Sequence, residues 1–321
     1  MSLSPSINER ALQILQNLTE RPNELGCKVT HTTCGATLVD AGIEVAGSVE
    51  AGRLIGKICM GGLAAVRIVQ VHIGDMTVQG VMVATQEPVI ATLGSQLARW
   101  RLRYPEYSAM GSGPAQARAR VETNLFDNIG YADDGGCAVL VLETRQYPPD
   151  NVLESIADTC DVLPSNLYCV LVPTASIAGS VQIAARTVEV GIYRLYKLGM
   201  KPSQFRSGYG VAPFRPKMDD DYLAMVASNE CLAYGGRTHF FVTPEEDINL
   251  EEMVQEACSN YSESYGKSFS KLYKDADYNP NDRNQRLFSP AQVSIMDIDA
   301  EMIYRAGEIN VVMVRKALGH V

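Results

Sequence analysis

The spacing of apolar and polar residues changes several times along this chain, and each change marks an element. Ile7, Ala11, Ile14 and Leu18 recur at helical spacing. Ser6 and Glu9 stand in the spacing of a capping box, and Pro22 and Gly26 end the segment. Ala64–Ile73 and Met76–Thr85 are rich in β-branched residues and predict two strands around a turn at Gly74 and Asp75. A helix is predicted over 93–103, closed by Pro105. Another is predicted over 115–128, after the turn residues Gly111, Ser112, Gly113 and Pro114, with Pro114 suited to its first turn. Continuous apolar runs over 137–142 and 167–172 predict buried strands, with an amphipathic helix over 152–160 between them.

The longest predicted helix covers 176–198 and ends at Gly199. Ile177, Val181, Ala184, Val188, Ile192 and Leu195 form its apolar stripe. A Gly/Pro-rich stretch over 208–216 follows, then a helix over 219–233, a short strand over 239–243 and a helix over 250–257. A polar, Tyr- and Asp-rich segment over 259–285 precedes a strand over 293–298 and a last helix over 311–318. Strands and helices do not alternate regularly, which favours α+β over a doubly wound parallel sheet. No repeat of solenoid period occurs.

The chain has 321 residues, 46% of them apolar. Single cores stop growing near about 250–300 residues, so two domains are expected. The best hinge in the sequence is 202–216, which divides the chain into 1–200 and 201–321, either of which can be discontinuous. The net charge of −9 argues against nucleic acid as a partner. The eight cysteines include no C-x-x-C pair, and no stretch reads as an export signal, so a reduced, cytoplasmic protein is expected. No run approaches about 18 apolar residues, so no membrane span is expected.

Most motif-like stretches fail on chemistry. Gly52 to Gly56-Lys57 is one residue short of a P-loop and lacks the hydroxyl residue that ligates magnesium. Gly111-Ser112-Gly113 continues into Gln116, where a dinucleotide fingerprint needs a small residue for close helix–strand packing. Gly208-Tyr209-Gly210 runs into Pro213 and fails likewise. Gly-Ser-Gly-Pro before a helix still offers free N–H groups to a carbonyl or an anion. The four histidines stand far apart in sequence, so no metal site is expected. Asp133-Asp134 and Asp219-Asp220-Asp221 read as helix caps before cation ligands. No G-x-S-x-G elbow exists, and nothing selects one thiol as a nucleophile.

One constellation remains. Opposite the apolar stripe of 176–198 lie Gln182, Arg186, Glu189, Tyr193 and Tyr196. Arg186 and Glu189 are three apart and share a face. As a solvated ion pair they contribute about 0.2–0.5 kcal/mol. The alternative is a catalytic carboxylate oriented by a guanidinium. Two features favour it: the apolar strand just before the helix, and the small residues at its start.

Pro173-Thr-Ala-Ser-Ile-Ala-Gly-Ser-Val-Gln-Ile-Ala-Ala-Arg186-Thr-Val-Glu189-Val-Gly-Ile resembles the signature segment of the methenyltetrahydromethanopterin cyclohydrolases. Further blocks agree in order: Asp40-Ala-Gly-Ile-Glu-Val-Ala-Gly-Ser, Gly111-Ser-Gly-Pro-Ala, Gly130-Tyr-Ala-Asp-Asp, Tyr234-Gly-Gly-Arg-Thr, Ser264-Tyr-Gly-Lys, Ala276-Asp-Tyr, Phe288-Ser-Pro-Ala and Tyr304-Arg-Ala-Gly-Glu-Ile-Asn. The resemblance runs from about Asp40 to Asn310. It implies a two-domain α+β subunit with mixed sheets and a substrate cleft between the domains, in a homo-oligomer, with a trimer expected. It implies reversible hydrolysis of a 5,10-methenyl reduced pterin to the 5-formyl carrier, without a separate cofactor. The family's catalytic arginine and glutamate fall on Arg186 and Glu189. Ser95, Gly111, Ser112, Gly113, Pro114, Gln182 and Arg237 are expected to contact the pterin. A non-catalytic pterin- or nucleotide-binding protein and a nicotinamide-dependent enzyme of C1 metabolism are the competing readings.

Overall fold

The computed structural model of the chain describes residues 6–275 and 287–320; the Ala276-Asp277-Tyr278 block and the end of the polar 259–285 segment lie outside them. α1 (Ile7–Glu20) starts where the capping residues place it. Ser6 Oγ accepts the N–H of Glu9, and Ile7, Ala11, Leu15 and Leu18 are buried along one stripe. α2 (Pro22–Leu25) is one turn, closed by Gly26 in the left-handed region. β1 (Lys28–His31) and β2 (Thr37–Asp40) follow.

α3 (Val49–Cys59) was not legible as an element, and it contains the glycines that resemble a P-loop. A Cβ at Gly52 would lie 2.6 Å from the Cβ of Val181 and 2.7 Å from the carbonyl oxygen of Ala178. Glycine therefore serves close helix packing here, not phosphate binding. Gly52→Ala is expected to lower stability by about 1–3 kcal/mol, because overpacking outweighs the roughly 1 kcal/mol that alanine gains in a helix interior. Denaturant titration checks the sign; a more stable variant would mean that the two helices do not meet at this point.

β3 (Ala64–Ile73) and β4 (Met76–Thr85) form where the β-branched runs place them. The helix expected over 93–103 does not form. Instead come α4 (Pro88–Ala91), a π-helical turn over Thr92–Gln96, and β5 (Trp100–Tyr104). Buried Trp100 and Leu102 alternate with exposed Arg101 and Arg103, a period of two that suits a strand paired with β6 (Tyr107–Ser112). The helix expected over 115–128 is two helices, α5 (Ala115–Ala119) and α6 (Thr123–Ile129), because Arg120 closes the first in the left-handed region. The Arg118 guanidinium donates to the carbonyls of Cys160, Gly135 and Asp161, a tertiary pull that sequence spacing does not record.

β7 (Ala138–Glu143), α7 (Asp150–Thr159) and β8 (Leu167–Leu171) match the pattern. The helix expected over 176–198 is broken into α8 (Ile177–Ala184) and α9 (Thr187–Lys197). At the break the Arg186 N–H bonds to the Ile183 carbonyl at 2.9 Å, and Thr187 Oγ1 donates to Ala184 O at 2.8 Å. β9 (Phe205–Pro213) occupies the expected hinge. Its Gly208 and Gly210 allow close approach: a Cβ there would lie 3.0 Å from the Phe240 ring and 2.8 Å from Arg237 O, respectively. α10 (Asp221–Gly235) is capped by Asp220, which accepts the Leu223 N–H, as its reading as a cap required. β10 (Arg237–Val242) and α11 (Leu250–Glu256) follow. The polar segment hides α12 (Phe269–Asp275). β11 (Gln292–Asp297), β12 (Met302–Gly307) and α13 (Val311–Leu318) complete the described chain; β12 was not anticipated.

The architecture is α+β, with two mixed six-stranded sheets. Contacts divide the chain into two compact units, Met1–Ala65 with Ile90–Gln182, and Val66–Val89 with Ile183–Val321. The crossings fall at 65/66, 89/90 and 182/183. The first unit's sheet has the order β1-β2-β8-β7-β6-β5, with β2, β8 and β7 parallel. Val39, Val139, Val141 and Val170 pack with Leu15, Ile55 and Ile58 from α1 and α3. Leu38, Leu140, Leu142 and Cys169 pack with Val152, Leu153 and Ile156 of α7. Burial on both faces explains why these strands read as unbroken apolar runs. The second sheet has the order β12-β11-β10-β9-β4-β3. Gly208 and Phe240 meet α9, and Val211 packs with Val226, Tyr234 and Val314 of α10 and α13. No helix among the described residues is long and apolar enough to cross a membrane.

Candidate active site

Arg186 and Glu189 lie in the second unit, at the start of α9. Arg186 is the residue preceding the first helical position, and Glu189 stands in the first turn. The pair therefore does not ride the middle of a continuous helix. It straddles a helix beginning, where the unsatisfied N–H groups of the first turn favour a carboxylate. Arg186 Nη1 is 3.6 Å from Glu189 Oε2. The residues are 7% and 6% exposed, so the solvated reading of the pair does not hold. Arg53 and Glu50 on α3 show the contrast. They have the same three-residue separation at 2.6 Å, with side chains 27% and 49% exposed. Water screens that pair and leaves it weak. A buried pair is expensive to desolvate and gains little stability.

Most other candidates lie in the first unit. Ser95 is fully buried in the π-helical turn; its hydroxyl donates to Cys59 O at 2.6 Å, and its carbonyl accepts the Gly113 N–H at 2.8 Å. Gln116 fastens the same knot, its amide donating to Ser95 O and Leu97 O, both at 2.8 Å. The residue that spoils a dinucleotide fingerprint thus holds the 111–114 turn onto the π-helical turn. Gly111 and Ser112 end β6, Gly113 takes φ +107, and Pro114 leads into α5. Gln182 is completely buried, and its Nε2 donates to Glu143 Oε1 at 3.0 Å.

Arg237 begins β10 in the second unit. Its neighbour Thr238 and the Phe240 ring lie against Gly191 of α9. Strand alternation puts Arg237 on the other face, with His239 and Phe241, so the structure does not bring it onto the side that meets α9. Its Nε is buried without a hydrogen-bond partner among the described residues.

Sequence reasoning overlooked two carboxylates. Asp40 is fully buried and accepts the N–H groups of Gly42, Ile43 and Glu44 at 2.7–2.8 Å and the Tyr147 hydroxyl at 3.0 Å. It shapes the turn of the Asp40-Ala-Gly block. Glu143 is the other. The signal for it was present: one charged residue ending a strand that is otherwise wholly apolar.

Thiol catalysis finds no support. All eight cysteines are free thiols. Burial pushes Cys27, Cys137 and Cys258 up to about 11, Cys160 and Cys231 up to about 12, and Cys169 higher still. Such thiols are poorly ionised at neutral pH. No group of three or more His, Cys, Asp or Glu side chains among the described residues is placed to hold a metal ion. Asp133, considered as a cation ligand, instead accepts the Ile7 and Asn8 N–H groups at the start of α1.

These features define a two-sheet α+β protein that keeps a guanidinium–carboxylate pair out of water at the start of a helix. The chain belongs to the family described as Cyclohydrolase (MCH), which it matches over residues 6–318. It is 38% identical over 317 residues to the methenyltetrahydromethanopterin cyclohydrolase of Methanocaldococcus jannaschii, covering 98% of each chain. It is 35% identical to the enzymes of that name from Methanococcoides burtonii, covering 95% of each chain, and Methanothermobacter marburgensis, covering 98% of this chain and 99% of the relative.

Proposed function

We propose that the protein is a cyclohydrolase of C1 metabolism that reversibly hydrolyses 5,10-methenyl-tetrahydromethanopterin to the 5-formyl carrier. The observation that carries this reading is the buried Arg186–Glu189 pair at 3.6 Å, in a chain that matches the cyclohydrolase family almost end to end.

The substrate's methenyl bridge is a formamidinium-like cation and is already electrophilic. Catalysis then needs a placed water and a base more than a metal or an activated nucleophile. Glu189 orients the water and takes one proton as its oxygen bonds to the bridge carbon. The bond from that carbon to N10 then breaks, N10 takes up a proton, and the hydroxyl loses one to become the formyl carbonyl on N5. The cation and water thus give the neutral formyl carrier and one released proton. Arg186 directs the carboxylate and steadies its charge. In the ring-closing direction Glu189 returns the proton.

We propose that the reaction needs no separate cofactor. The test mixes purified protein with the methenyl carrier, without nucleotide and with a chelator present, and follows loss of the ring-closed chromophore. Persistence of the chromophore on a protein that binds the carrier would convert the reading to a non-catalytic binding protein. Arg186→Gln is expected to lower turnover at least about tenfold, since the carboxylate loses the guanidinium that directs it. A wild-type rate would leave Arg186 without a role in turnover. Ser95, Gly111, Ser112, Gly113, Pro114, Gln182 and Arg237 are proposed pterin contacts, each to be tested by the KM of a single variant. A cytoplasmic homotrimer is the proposed assembly, and sedimentation of the purified protein measures its size.

A further inference from the structure

We infer that β12 is an interaction edge that pairs antiparallel with β12 of a second copy of this chain, joining two copies through one continuous sheet. β12 is the last strand of its sheet, bound on one side by β11 and on the other by no strand among the described residues. Open edges are usually blunted by lysine, proline or a covering element. β12 contains neither residue, and its Met302 and Ile303 are 53% and 63% exposed. Exposed apolar side chains on an open edge mark a surface for a partner.

The pairing register says which partner. Ile303 lies opposite Met296, and Met296 beside Phe241, so these three form one apolar row on the sheet face away from α9. Arg305 lies in the next row, opposite Ser294. It donates to Gln292 Oε1 at 2.8 Å, and neither β10 nor β11 carries a carboxylate on that face. Glu301, exposed, stands just before the strand. A twofold axis through Ile303, perpendicular to the sheet, sets Ile303 against its own copy. The apolar row then runs unbroken from Phe241 of one copy to Phe241 of the other. Arg305 comes level with Glu301 of the second copy, and this happens at both ends. On the opposite face Met302 comes level with Tyr304 of the second copy, a sulfur–aromatic pair. Moving the axis to Tyr304 sets Arg305 against Ile303 and loses both matches. The strand therefore has an apolar centre and oppositely charged ends, the order that self-pairing needs. This contact is separate from the threefold one of the proposed homotrimer: alone it joins two copies, and combined with it six.

Sedimentation equilibrium of the purified full chain reads the mass. Wild-type protein is expected to associate in even numbers, as two or six copies. Ile303→Glu replaces the central apolar contact by two facing carboxylates. It is expected to weaken the pairing at least about tenfold and to halve the mass. Arg305→Glu sets like charges together at both ends and should weaken the pairing by about two- to tenfold. Glu301→Arg combined with Arg305→Glu restores opposite charges and should return the pairing to within about twofold of wild type. That rescue also shows that the single variant is folded. Wild-type protein of one or three copies at its highest soluble concentration would overturn the inference and leave the edge to a different partner. An unchanged mass for Ile303→Glu would overturn it too, as would a double variant that pairs no better than Arg305→Glu alone.

Discussion

Glu189→Gln is expected to lower turnover of the methenyl carrier by about 10²–10⁴-fold, the range over which general-base catalysis contributes. The substitution keeps the size and hydrogen-bonding capacity of the side chain and removes its ability to take a proton at neutral pH. It also removes one charge from a pair that is more than nine-tenths buried. The buried Arg186 guanidinium then faces a neutral amide in place of Glu189, so a loss of stability on the order of a few kcal/mol accompanies the change. A defect in turnover of the folded variant, measured well below its unfolding midpoint, is therefore the expected signature. A variant that turns over at the wild-type rate would remove Glu189 from the base role. One that fails to fold would make the pair structural.

Asp133→Ala is expected to destabilise the protein on the order of 3–5 kcal/mol, since a buried carboxylate that serves several donors strands all of them when removed. Asp133 accepts the Ile7 N–H at 2.7 Å, the Asn8 N–H at 3.1 Å, the Gly135 N–H at 3.0 Å and the Ser6 hydroxyl at 2.8 Å. It closes the start of α1 from more than a hundred residues away. The neighbouring Asn8, fully buried, donates to Pro114 O at 3.0 Å and accepts the Val139 N–H at 2.8 Å, so a loosened α1 also loosens the 111–114 turn. Urea unfolding followed by circular dichroism measures the loss. A change under about 1 kcal/mol would mean that water replaces the carboxylate at these donors.

Helix starts with strong caps were legible. Ser6 and Asp220 cap α1 and α10, because a short polar side chain can satisfy a first-turn N–H from its own position. Strands buried on both faces, such as β7 and β8, announced themselves as apolar runs. Errors gathered where local signals were weak or misleading. Trp100 to Tyr104 contains good helix formers but alternates in burial, and its pairing with β6 decides for a strand. The glycines of β9 read as a hinge because no local pattern reveals that Phe240 and Arg237 press against them. α3 was missed because its glycines mimic a phosphate loop and its packing partner is more than a hundred residues away.

The sequence by itself determined the identities and spacing of Arg186 and Glu189, the order of the resembling blocks, and the apolar strands that build the first sheet. Those depend on residue type and short-range period, which the chain carries openly. Only the tertiary structure decided that the long helix breaks at 185–186, that the pair sits out of water, and that Gln182 holds Glu143. Spacing fixes which side chains share a face of a helix. What covers that face, and where a helix yields to its neighbours, depends on contacts between residues far apart in the chain.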